Sequence, residues 1–161
     1  MWWRPGRWPP EGGCTEGRMG KEAGVAGGRR LRRAGKEIII SDRLPAPKGP
    51  YSPAVRGNGF VFVSGQGPVD PGTGEVLRGP IEQQTELVLS NVKLILEEAG
   101  SSLDRVVKTT VYLDKIEDFG AMNQVYGTFF RRDPPARTTV EAANLPLGIG
   151  VEVDVIALAG E

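Results

Sequence analysis

Three segments of this 161-residue chain, Phe60–Ser64, Val106–Leu113 and Val151–Leu158, carry apolar or small residues at both of their alternating positions, while only two stretches show helical periodicity. A strand turns successive side chains to opposite faces, so strands of this kind offer apolar surface on both sides of a sheet. Two helices form one layer and cover one side. The sequence therefore predicts an α/β (α+β) fold, a two-layer sandwich of a mixed β-sheet with two helices on one face. It also predicts that the open face finds a partner through oligomerisation.

The remaining elements follow from local signals. Glu37–Ile40 reads as a short β-branched strand, after which Pro45, Pro47 and Pro50 hold the chain extended before Tyr51. Gly57–Asn58–Gly59 is a turn, Phe60–Ser64 a strand broken by Gly65, Gly67 and Pro68, and Val69 a short strand-like piece ending at Asp70–Pro71–Gly72. Pro80 suits a first helical turn; Ile81, Val88, Val92, Ile95 and Ala99 then recur at helical spacing and Gly100 supplies the stop. Val106–Leu113 is a strand. A second helix starts near Glu117–Asp118, carries Phe119, Met122, Tyr126, Phe129 and Phe130 as its apolar stripe, and ends before Pro134–Pro135. Arg137–Ala142 and Val151–Leu158 are strands on either side of the Leu145–Gly148 loop.

Charge divides the chain. Residues 1–36 carry nine Lys/Arg against three Asp/Glu and nine of the 23 glycines, with no apolar period; the rest carries eleven against seventeen. The expected organisation is a basic, disordered extension over 1–36, with Met19 or later as an alternative start, and one folded domain over 37–161. A negative domain repels phosphate backbones, which disfavours nucleic acid as its partner. The extension lacks the apolar core of a secretory signal, and nothing approaches a membrane span, so a cytoplasmic location is expected.

The chain has no histidine, and its one cysteine, Cys14, lies in the extension. That leaves carboxylates, Tyr, Ser/Thr, Lys/Arg, backbone groups and water to carry any chemistry, and removes an internal disulfide or a cysteine metal cluster.

Several segments, in order, resemble those of the RidA (YjgF) family: Gly49–Ala54 (GPYSPA), Val63–Gln66 (VSGQ), Asp70–Glu75 (DPGTGE), Asn91–Lys93, Val107–Val111, Pro135–Val140 (PARTTV) and Val151–Asp154. The resemblance implies a chorismate-mutase-like fold, a homotrimer with sites between subunits, and hydrolysis of short 2-imino acids (2-iminobutanoate, 2-iminopropanoate) to 2-keto acids and ammonia without metal or organic cofactor. The alternatives are a non-catalytic trimeric module that binds small carboxylate metabolites, and an RNA-cleaving or chaperone-like relative.

Residue by residue, the resemblance makes Arg137 the clamp for the substrate carboxylate, a pairing that guanidinium geometry favours. It makes Glu152 the group that activates water, although alternation in Val151–Val155 alone reads as a plain outward-facing acid. Tyr51 would wall the pocket and hydrogen-bond substrate or water; Ser64 and Gly65 would bind substrate through a strand end. Thr139 stands where relatives often have cysteine, and Asn123 matches a frequent family position with a structural or interfacial role. In that family's topology the strand 151–158 lies between 60–64 and 106–113, with 137–142 on the far side. Arg137 and Glu152 then start strands at opposite ends, roughly 16 Å apart, so a working site takes Arg137 from one subunit and Tyr51, Ser64, Gly65 and Glu152 from its neighbour.

Overall fold

The computed structural model describes residues 29–33 and 35–160. Cys14, Met19 and most of the basic extension fall outside the described residues. One sheet holds β1 (Arg29–Arg33), β2 (Lys36–Ile40), β3 (Ala54–Gly57), β4 (Phe60–Gln66), β5 (Val106–Leu113), β6 (Ala136–Glu141) and β7 (Val151–Leu158), in the order β1-β2-β3-β4-β7-β5-β6. Helix α1 (Ile81–Glu98) joins β4 to β5, and α2 (Phe119–Phe129) joins β5 to β6. Only β5 and β6 are adjacent and parallel; the other neighbours are antiparallel. Parallel strands need a crossover, and α2 supplies it. Strands β4 and β5 flank β7, both antiparallel to it, so α1 is a second crossover.

Strand parity makes the core. Val151, Val153, Val155 and Ala157 of β7 are buried, as are Val61 and Val63 of β4 and Thr109, Val111 and Leu113 of β5. They pack under Val88, Leu89, Val92, Ile95 and Leu96 of α1 and Met122 and Tyr126 of α2. Buried hydroxyls find partners here: the Thr109 and Tyr126 hydroxyls share a 2.8 Å hydrogen bond, and Thr85 Oγ1 donates to the Ile81 carbonyl at 2.7 Å. Intervening residues face the other way. Ile38, Val55, Phe62 and Ile156 lie in register across four strands of the open face, and Phe62 stays 47% exposed. Among the described residues no helix is long and apolar enough to cross a membrane.

The expected two-layer sandwich is present, with differences at its edges. Strand β3 is an addition to the elements that the sequence predicts. It pairs with β4 through the two-residue loop Asn58–Gly59, where φ is 49° and 81°; positive φ at both central residues is the type I′ hairpin that Asn-Gly favours. Val69 forms a single bridge to Val76 rather than a strand. A short 3-10 turn, Ile116–Asp118, precedes α2, and Phe119 at the helix start is exposed instead of joining the core. Strand β1 lies within the stretch read as an extension and pairs along β2 from Arg29↔Ile40 to Arg33↔Lys36.

Leu89 is fully buried between helix and sheet. Leu89→Ala should destabilise the protein by about 2–5 kcal/mol, read as a lower midpoint in urea denaturation.

Candidate active site

A β-bulge opens the site. The β4–β7 register runs regularly to Val63↔Val155, then shifts before Gln66↔Val153, leaving Ser64 and Gly65 without partners in that register. Ser64 is engaged locally: its Oγ donates to the Ser52 carbonyl at 2.7 Å and its N–H to the Pro53 carbonyl at 3.0 Å. These two bonds tie the proline-braced segment to the end of β4 and so place Tyr51. The Tyr51 hydroxyl accepts from the Lys48 N–H at 3.2 Å, while the ring stays half exposed.

Across the bulge lies Glu152. A Cβ built on Gly65 would collide with the Glu152 carboxylate, coming within 2.9 Å of Cδ and nearer still to Oε1. Only glycine lets the acid lie against this backbone. Tyr51, Ser64, Gly65 and Glu152 line one cavity of about 440 Å³, together with Lys48, Gln66, Val69, Pro146, Leu147 and Ile149 among others. Burial, and secondarily the nearby Asp154 charge, raises the Glu152 carboxyl above its ordinary value of 4.5. Tyr112, opposite Glu152 in register, donates to Asp154 Oδ2 at 3.1 Å. Its own hydroxyl is pushed up by burial, with the Asp154 charge adding.

Arg137 belongs to a different constellation. Its Nη2 donates to Asn123 Oδ1 at 2.8 Å, and its guanidinium lies 4.5 Å from the Tyr126 ring centroid and 5.6 Å from that of Phe119. Phe119, Asn123 and Tyr126, spaced four and three apart, present one side of α2 to the arginine. Contacts of this type hold a guanidinium in place while leaving donors free. Thr139, two residues on and hence on the same face of β6, keeps its Oγ1 buried without a hydrogen-bond partner. Helical spacing places Phe119 and Tyr126 in the apolar stripe; Tyr126 is indeed buried, and both rings also face the guanidinium.

One chain does not unite the two groups. Arg137 is in register with Thr109 of β5, and Glu152 with Tyr112. Three residues along the strand, about 10 Å, and two strand spacings of about 4.8 Å separate them, less along the strand than the five-residue offset expected. The decisive separation is parity: Thr109 is buried on the helix face, whereas Tyr112 and Glu152 look out from the open face. Tyr51, Ser64, Gly65 and Glu152 are thus gathered together, and Arg137, Asn123 and Thr139 lie together across the sheet.

Comparison with known proteins gives a consistent result. The family model described as "Endoribonuclease L-PSP" matches residues 41–159. A RutC family protein of Pyrococcus abyssi is 49% identical over 122 residues, covering 76% of this chain and 96% of the relative. The chloroplastic Reactive Intermediate Deaminase A of Arabidopsis thaliana is 40% identical over 122 residues, covering 76% of this chain and 65% of the relative. Among solved structures, E. coli TdcF with bound serine superposes with a TM-score of 0.72 at 38% identity, covering 76% of this chain and 98% of TdcF.

The raised Glu152 carboxyl has a sign that can be measured. The folded state binds that proton more tightly than the unfolded chain, so the residue's contribution is full below the ordinary value of 4.5 and is lost as pH rises through the raised value. Glu152→Gln should therefore have a higher Tm than the parent at neutral pH, with the gap closing below about pH 4. A series of thermal melts across pH checks this, and a parent that outlasts the variant at neutral pH would contradict a desolvated carboxylate.

Proposed function

Because the chain belongs to the YjgF/RidA family, for which a general reactive-intermediate deaminase activity follows, we propose that it hydrolyses short 2-imino acids, 2-iminobutanoate and 2-iminopropanoate, to 2-keto acids and ammonia, as a cytoplasmic homotrimer. The observation that carries this reading is the Glu152 carboxylate, laid against Gly65 at the wall of a ligand-sized cavity and held toward its neutral form.

The chemistry asks for little more. A water held by Glu152 attacks the imine carbon; a C–O bond forms as the C=N π pair moves to nitrogen. Glu152 takes the water's proton and delivers it to that nitrogen. Glu152 then takes the carbinolamine hydroxyl proton and passes it to the nitrogen; as the oxygen lone pair forms the carbonyl, the C–N bond breaks and ammonia leaves. A carboxyl raised above its ordinary value by burial is a stronger acceptor for the water's proton than a free carboxylate. The carboxylate of the substrate needs a fixed cation, and Arg137 is the clamp proposed for it, with Asn123 and Tyr126 holding the guanidinium before substrate arrives. Thr139 offers its unpartnered hydroxyl beside that clamp. Tyr51, Ser64 and Gly65 shape the cavity around the water.

Since parity sets Arg137 and Glu152 on opposite faces of one sheet, the proposed site is completed between subunits. Arg137 comes from one protomer and Tyr51, Ser64, Gly65 and Glu152 from the next. The apolar row Ile38, Val55, Phe62 and Ile156 on the open face supports an assembly that covers it. RNA cleavage, suggested by the description of the matching family, is less well supported: the chain has no histidine to serve as the usual acid or base, and residues 37–161 carry eleven Lys/Arg against seventeen Asp/Glu, which disfavours a phosphate backbone.

Coupling threonine dehydratase to the protein and following keto-acid release tests the reading. Arg137→Ala and Glu152→Ala should each lose at least about 100-fold in kcat/KM, while trimers mixed from the two inactive variants regain activity. Binding of keto acid without any turnover by the parent would assign the cavity to a non-catalytic module instead.

A further inference from the structure

The loop leading into β7 runs against ordinary backbone preference. Leu147 has φ 63° and ψ 5°, and Gly148 follows with φ 63°. Glycine enters this left-handed region freely; leucine seldom does. A strained residue held beside a ligand-sized cavity gives its side chain a candidate role.

The hold is specific. Arg78 donates from Nη2 to the Leu147 carbonyl at 2.9 Å and from Nη1 to the Gly148 carbonyl at 3.2 Å. Gln84, buried on the first turn of α1, accepts from the Gly150 N–H at 2.8 Å and donates to the Gly79 carbonyl at 2.8 Å. The loop is thereby fastened to the entrance of α1. So fastened, Leu147 is 49% exposed and lines the cavity.

Two glycines give the cavity a polarity. Gly65 admits the Glu152 carboxylate; Gly67 admits Ile149, whose Cδ1 lies 2.8 Å from where a Gly67 Cβ would stand. The two glycines are about 7 Å apart along the strand. One position therefore carries the acid, and the next carries an aliphatic wall that Val69, Pro146 and Leu147 extend around the same cavity. At about 440 Å³ the whole space falls in the ligand-pocket range of roughly 300–1,000 Å³, enough for a small acid at the Glu152 end and a branched side chain at the aliphatic end.

We propose that Leu147 and Ile149 form a side-chain subsite that selects 2-imino acids, and the corresponding 2-keto acids, bearing isobutyl-sized apolar side chains over those bearing methyl or ethyl. The subsite rests on the proposed hydrolase for its chemistry but not for its binding preference. Arg78 and Gln84 are positioning residues for it.

Calorimetric titration of the full chain with pyruvate and with 4-methyl-2-oxopentanoate tests the subsite. Each additional buried CH₂ is worth about fourfold in affinity, so the parent should bind the branched acid at least about tenfold more tightly. Leu147→Asn, which tolerates the left-handed backbone, and Leu147→Gly should each bring that ratio to about threefold or less. Equal affinities in the parent, an unchanged ratio in both variants, or no binding of either acid would overturn the subsite. The coupled hydrolysis assay separates the two claims. A preserved ratio with no turnover of any imine removes the hydrolase and keeps the subsite; turnover with no preference does the reverse.

Discussion

The alternation of β7 organises this molecule. Val151, Val153, Val155 and Ala157 drive the strand under both helices, because burying them is the largest favourable contribution available to a central strand. With that parity set, Glu152 and Asp154 must look outward from the open face. The acid is then neither in the core, where ionisation would be prohibitive, nor free in water. It rests against the bare backbone at Gly65, the one kind of place where a β-strand can half-bury a carboxylate without a side chain in the way. Both the bulge that frees Gly65 and the hairpin that places β3 beside β4 serve that arrangement.

The same parity sends Arg137 to the helix side, where α2 receives it. Ring faces and one amide oxygen cost the guanidinium little of its charge, unlike a carboxylate, which would have neutralised it and occupied its fork. The edge position of β6 leaves that group at the border of the protomer. In the proposed assembly, the cation on one border and the acid on the opposite face are brought together by two copies of the chain.

Much of the fold was legible because its long elements are strongly periodic: the two helices and the strands β4, β5 and β7 fall where apolar spacing puts them. What was missed depends on pairing rather than composition. Strand β3 has four residues and follows a proline-rich stretch, so its identity comes from β2 and β4 on either side. The Arg29–Arg33 strand has no apolar alternation at all and exists because β2 offers an open edge. At the site, spacing alone read Glu152 as an outward acid. It is outward, yet partly buried, a distinction that needs the glycine across the bulge. Arg137, Tyr51, Ser64 and Gly65 came from family resemblance, not from pattern. Leu147 and Arg78 left no local trace, since a left-handed leucine is a tertiary product of the bonds that hold it.

Strand β1 has a practical implication. A domain trimmed to begin at residue 37 would strip away the strand that covers β2, leaving a row of backbone N–H and C=O groups beside the aliphatic run Ile38–Ile40. Such an edge is a template for another molecule's strand. Shortened versions of this protein would then gain a route to sticky, ladder-like association that the longer chain closes off by pairing β1 along β2.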